Sequence, residues 1–264
     1  MANPVLTEKA FRDARTAPSS GRGPTIPTVD GARYRSASDV MSMSGVISAT
    51  ATLFAILLVA AAYGWSQVKV TSGEITKFPS WTILAILGAF GLSILTSFKP
   101  TIARITGPAY ALVEGIVVGA ISHLYATQYQ GIVPQAIGAT LGVFAVMLFL
   151  YKTNIIKVTD KFRRMVVAAT MGLMLFYGVS LLLRLFGANV PFLHSSSAGG
   201  ILFSLFAAGL ASFNLALNFD LIDRNIAAGS PRYMEWYAGF GLMVTIVWLY
   251  LELLRLLAKL QDRR

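Results

Sequence analysis

Seven apolar runs separated by short polar stretches occupy residues 45–65, 78–98, 107–125, 131–151, 165–186, 199–219 and 236–257. Each is close to the roughly 20 residues that a helix needs to cross the hydrocarbon of a bilayer. Backbone N–H and C=O groups in lipid must bond within their own segment, which favours helices over open strands. The ten-residue apolar/polar alternation of a membrane barrel is absent from the sequence. Only 13% of the residues are charged and 55% are hydrophobic, whereas a soluble domain carries roughly 25% charge. One water-soluble core cannot hide that much apolar surface. The sequence therefore predicts an all-α polytopic membrane protein with seven transmembrane helices over 44–260.

Residues 1–43 precede the first run and are rich in Ser, Pro, Gly, Ala and charge. With little to pack, they are expected to form a disordered cytoplasmic tail. Their polarity also argues against a secretory signal peptide, whose apolar region would come much earlier. The chain has no Cys, so disulfides, thiolate metal sites and a cysteine nucleophile are excluded.

Formal net charge is +10. In a soluble protein this would raise nucleic acid as a partner. Here the basic residues gather between apolar runs, where membrane topology and anionic headgroups account for them, and no nucleic-acid partner is expected. The tail carries Lys9, Arg12, Arg15, Arg22, Arg33 and Arg35, and the second loop Lys99 and Arg104. The fourth loop carries Lys152, Lys157, Lys161, Arg163 and Arg164, and the sixth Arg224 and Arg232. The third loop has no Lys or Arg, and the fifth has only Arg184 at its edge. The first loop carries Lys69 and Lys77. Apart from it, basic loops alternate, which predicts a cytoplasmic N-terminus. Seven spans would then put Arg255, Lys259, Arg263 and Arg264 toward the outer side. That conflicts with the same rule: either the last run does not cross fully or the earlier loops overrule it.

Small residues recur at helical spacing at Gly115/Gly119, Gly138/Gly142 and Ala207/Ala211, predicting close helix packing. Trp65, Trp81 and Trp236 lie near run ends, as an interfacial belt requires. His123 and His194 are expected to be solvated near the outer side.

An ionisable group in hydrocarbon costs about 2.5–3.5 kcal/mol on insertion scales, so such residues are candidate functional groups. Glu114 lies inside the third run, Asp220 ends the sixth with Asp223 close behind, and Glu252 lies deep in the seventh, followed by Arg255. Two carboxylates held together away from water would titrate as a unit and could share a proton, a cation or a basic neighbour. Their oxygens suit calcium. The simpler alternatives are a hydrated Asp220 at headgroup level, a local Glu252–Arg255 ion pair and a Glu114 that bonds between helices. Antiparallel registration of the last two helices places the two acids at different depths. Their contact therefore needs a sixth helix that extends past Asp220, and the stretch 220–228 is compatible with that.

The segment Asn218-Phe219-Asp220-Leu221 and the run Leu249-Tyr250-Leu251-Glu252 resemble the Bax inhibitor-1 family, in its long-tailed bacterial branch. Gly107-Pro108-Ala109-Tyr110-Ala111 and the seven-span spacing are similar as well, while the N-terminal tail falls outside the resemblance. The resemblance implies a seven-helix fold with the last helix central and a plasma (inner) membrane location. It further implies a pH-sensitive calcium leak gated by an acidic pair, here Asp220 and Glu252, with calcium as the transported or bound ion. The second acid of the family is Asp, and its basic partner on the second helix is Arg. The candidates for that partner here are Lys99 and, next, Arg104.

The leading expectation is thus a pH-sensitive cation leak. A different class is a membrane-embedded modulator of a membrane protease, engaged through the N-terminal tail. A third is a proton-coupled transporter using Glu114 and Asp220. An enzyme is not expected: the sequence has no phosphate loop, zinc motif or nucleophile–base set.

Overall fold

A computed structural model describes residues 40–71, 74–77, 81–186 and 196–263. Residues 1–39 of the expected tail and His194 lie outside them. Among the described residues seven α-helices follow one another: α1 (Met43–Gln67), α2 (Thr82–Phe98), α3 (Ala103–Gln128), α4 (Ile132–Lys152), α5 (Asp160–Leu185), α6 (Ala198–Ala227) and α7 (Met234–Gln261). A short antiparallel hairpin, β1 (Lys69–Thr71) with β2 (Glu74–Lys77), links α1 to α2 where the sequence suggested a plain loop. Six of the helices are long and apolar enough to cross a membrane; α2, at 17 residues, is apolar but shorter. The chain is an all-helical, multi-pass membrane protein.

Local chemistry sets the helix ends. Ser42 caps α1 by accepting the Gly45 N–H at 3.0 Å, and Ser197 caps α6 in the same way from Gly200. At the other end of α6, Gly229 adopts φ +67°, a conformation with no Cβ penalty for glycine. The Ser230 N–H folds back to the Asn225 carbonyl and Pro231 follows, so the helix stops. As the sequence requires, α6 runs seven residues past Asp220.

Helix α7 packs against α1, α3, α4 and α6. Tyr237, Phe240, Met243, Leu249 and Leu254 of α7 are fully buried. Helices α1 and α3 approach closely. A Cβ on Gly115 would strike the Leu57 carbonyl, and one on Gly119 the Ala61 carbonyl, so only glycine permits the approach. Ala207 and Ala211 are also buried in helix packing. Gly138 and Gly142 depart from the expectation, because a Cβ on either would meet nothing within 4 Å. Their spacing on α4 reflects no close contact.

Contacts sort the helix termini into two ends. Val40 bridges to Pro231, and Arg224 donates to the Val158 carbonyl, so the starts of α1, α5 and α7 share one end with the finish of α6. At the opposite end the ring of Trp65 stacks on His123 at 4.5 Å, which is half-buried rather than free in solvent. Tyr129 donates to Asp262 at 2.6 Å and Ser196 to the same carboxylate at 2.9 Å. Burial, reinforced by Asp262, pushes the Tyr129 hydroxyl up to about 12. Helix α7 therefore crosses the whole bundle, and residue 262 lies opposite Val40. The charge conflict at the C-terminus eases because two of its cations are internal. Arg255 pairs with Glu252, and Lys259 is buried, donating to the Gly200 carbonyl and Ser204 Oγ.

Candidate functional site

Asp220 and Glu252 are both buried, and both are ion-paired, but with different partners. Asp220, on the α6 face toward α5, receives Arg163 Nη2 at 2.7 Å and Arg224 Nε at 3.0 Å. Glu252, on α7, receives Arg255 Nη1 at 3.0 Å, the Tyr177 hydroxyl at 2.8 Å and Trp248 Nε1 at 3.2 Å. Arg255 also lies 5.4 Å from the Tyr177 ring centroid and donates to its hydroxyl at 2.9 Å, a cation–π arrangement.

The register of α6 against α7 keeps the acids apart. Asn218 Nδ2 donates to Thr245 Oγ1 at 2.8 Å, and Lys259 Nζ to Ser204 Oγ at 2.9 Å. In the antiparallel pair these two bonds place Ala211 opposite Glu252. Asp220 lies nine residues farther along α6, about 13 Å in axial distance at 1.5 Å per residue. The expected direct pairing of the two acids is therefore corrected: they occupy separate levels of one interface. The Glu252–Arg255 ion pair, weighed in the sequence as the simple alternative, is present.

The expected basic partners are corrected too. Lys99 is exposed at the end of α2. Arg104 lines a cavity with Arg232, Glu235 and Ser42. Neither of the two forms an ion pair with Asp220 or Glu252 among the described residues. Asp223 faces away toward α4, taking the Tyr151 hydroxyl at 2.9 Å and Lys152 at 3.6 Å. Glu114 is half-buried on α3 and makes no hydrogen bond among the described residues, so the interhelical bond expected of it is not found. No group of three His, Asp or Glu side chains that could hold a metal occurs among the described residues. Calcium wants 6–8 oxygen ligands, and one arginine-paired carboxylate at each level does not make a resident calcium site.

Residues that the apolar-run reading missed complete the arrangement. Arg163, Thr170 and Tyr177 recur every seven residues on α5, a spacing that returns to one helix face. Each reaches a polar group of α6 or α7. Arg163 binds Asp220, Thr170 Oγ1 accepts from Asn214 Nδ2 at 2.9 Å, and the Tyr177 hydroxyl binds Glu252. Over 14 residues this is a polar seam about 21 Å long. Its walls are apolar: Val166, Leu173, Ala207, Leu210 and Leu217 form a second buried cluster beside it. In that low dielectric an unmatched charge is costly, which is why each acid sits beside an arginine.

An acid that the sequence reading did not single out, Glu235, sits where α7 begins. It accepts the Ser42 N–H and hydroxyl, each at 2.9 Å, and fills the space beside Gly45 so closely that a Cβ there would overlap its carboxylate. It fastens the start of α1 to the start of α7.

A family model of Bax inhibitor 1 like proteins matches residues 3–262. The chain belongs to the Bax inhibitor 1 like family. The match includes nearly all of the N-terminal tail, which the motif-level resemblance had left outside. No curated protein matches the chain. For this family member, the Asp220 and Leu-Tyr-Leu-Glu252 segments that carried the resemblance are the ones that supply the two acids of the α5/α6/α7 seam.

Proposed function

We propose that this Bax inhibitor 1 like protein is a pH-sensitive cation leak, calcium among its cargo, in which the acids act as two separate arginine-locked stations. The observation that carries this reading is the burial of Asp220 and Glu252 at two depths of one helix interface, each held by arginine. The basic end of the bundle faces the cytoplasm of an inner membrane, α2 crosses as a short seventh span, and α7 forms the centre of the bundle.

The chemistry is competition for carboxylate oxygens. At rest Arg163 and Arg224 occupy Asp220, and Arg255 occupies Glu252. A calcium ion advances by displacing an arginine and taking its oxygens. A proton on the carboxylate removes the negative charge that the ion needs and leaves the arginine's positive charge behind. Acidification therefore lowers cation passage, and raising the pH restores it. The sign rests on the net charge of the pathway: with neutral acids and charged arginines it repels its cargo.

Purified protein in calcium-loaded liposomes tests the proposal. Calcium efflux above that of empty liposomes, falling as the pH is lowered, is expected. Efflux equal to that of protein-free vesicles at every pH would overturn it.

A further inference from the structure

Between the two locks lies a polar group without a complement. Asn214 is 1% exposed, and its amide nitrogen donates to Thr170 Oγ1 and to the Leu210 carbonyl, both at 2.9 Å. Its Oδ1 is the one buried side-chain N or O atom among the described residues that has no hydrogen-bond partner. A bare acceptor in an apolar interior is destabilising, and Asn214 sits where an apolar residue would avoid that cost. The Thr170 hydroxyl does not need it as a structural partner, since it already donates to the Val166 carbonyl at 2.8 Å.

Position makes this acceptor informative. Asn214 is six residues below Asp220 on α6, about 9 Å deeper, and within about 5 Å of the level of Glu252 by the same register. By depth along α6 the order is thus Asp220, then Asn218, which donates to Thr245 of α7, then the orphan oxygen of Asn214, then the level of Glu252. A carbonyl oxygen of this kind binds a hydrogen-bond donor or a hard cation, and both water and a partly dehydrated calcium ion have that chemistry.

We infer that the α5/α6/α7 seam is the route by which water and cations enter the bundle once an arginine lock opens, with Asn214 Oδ1 as a station between the two acids, nearer the level of Glu252. This rests on the leak reading and specifies its path. It also assigns α5, through Arg163, Thr170 and Tyr177, as one wall of that path.

The absence of cysteine allows a direct test. A single cysteine is placed at Asn214 and, as a lipid-facing control one residue away, at Phe213, which is 39% exposed on the outside of the bundle. Full-length protein in liposomes is treated with a small, positively charged, water-soluble thiosulfonate, with and without Arg163→Gln and Arg224→Gln to open the Asp220 lock. Asn214→Cys should react at least about tenfold faster than Phe213→Cys in the unlocked background, because a thiolate forms only where water reaches. Equal rates for the two positions in both backgrounds would overturn the route. Asn214→Leu provides a second reading. It should keep or raise the melting temperature yet cut cation efflux by about tenfold, the kinetic equivalent of losing one polar partner in an apolar site. A loss of efflux matched by a loss of folded protein would assign Asn214 a structural role instead. The two failures are separable. Reactive Asn214→Cys without calcium efflux sinks the leak and spares the route; calcium efflux with unreactive Asn214→Cys does the reverse.

Discussion

Arg163 on α5 donates to Asp220 on α6 at 2.7 Å across a helix interface where the aspartate side chain is only 12% exposed. The pair closes one end of the polar seam, and Arg224 backs it from the same helix as Asp220. Acid and base therefore have opposite tasks at this point, one offering oxygens to a cation and the other occupying them.

Substitutions on the two sides should act in opposite directions. Arg163→Gln should raise calcium efflux at neutral pH, since it frees one side of Asp220. Asp220→Asn should lower efflux and remove its share of the pH dependence, since the arginines remain without an anion. Efflux from proteoliposomes at a series of pH values separates the two. A common direction of change for both variants would contradict the competition.

Glu252→Gln strands Arg255 in the interior. Breaking a buried pair by removing one partner costs about 3–5 kcal/mol, and Arg255 is still a third exposed, so a loss near the lower bound is expected. The double substitution Glu252→Gln with Arg255→Met should recover most of that loss, because an apolar replacement of a buried pair is close to neutral. Thermal melting in detergent reads both steps. Recovery of stability should not bring back the pH dependence of efflux.

Lys99→Ala and Glu114→Gln should leave efflux near that of the native protein, because neither residue joins the seam. A several-fold change in either variant would return α2 or α3 to the pathway.

Helix packing gives a stability prediction independent of transport. Gly115→Leu forces α3 off the α1 backbone, and overpacking of this kind costs about 1–3 kcal/mol or more. Gly138→Ala meets open space and should change stability by about 0.5 kcal/mol or less. Melting temperatures of the two variants should diverge accordingly.

Much of this architecture is legible in the chain, for physical reasons. Lipid demands long apolar helices, so six of the seven runs coincide with helices long enough to span, and the glycines at 115 and 119 mark a real close approach. The site is only half legible. Asp220 and Glu252 stand out because charge is rare in apolar runs. Arg163 does not, since it precedes the apolar run at 165–186 and reads as a loop charge, although α5 already begins at Asp160. Thr170 and Tyr177 are ordinary within an apolar helix; only their seven-residue stride with Arg163 gives them away. Partner choice depends on the register of α6 against α7, which is fixed by bonds such as Asn218–Thr245 that no local pattern encodes. Glycine spacing alone also misleads, as Gly138 and Gly142 illustrate.

Separate locks, rather than one shared dyad, can be tested most directly by a double-mutant cycle of Asp220→Asn and Glu252→Gln on the free energy of unfolding. Sites more than about 7–10 Å apart with no shared partner usually add within about 0.3–0.5 kcal/mol. Additivity within that range is the result predicted here. A coupling of about 1 kcal/mol or more would put the two carboxylates in contact and contradict the two-station seam.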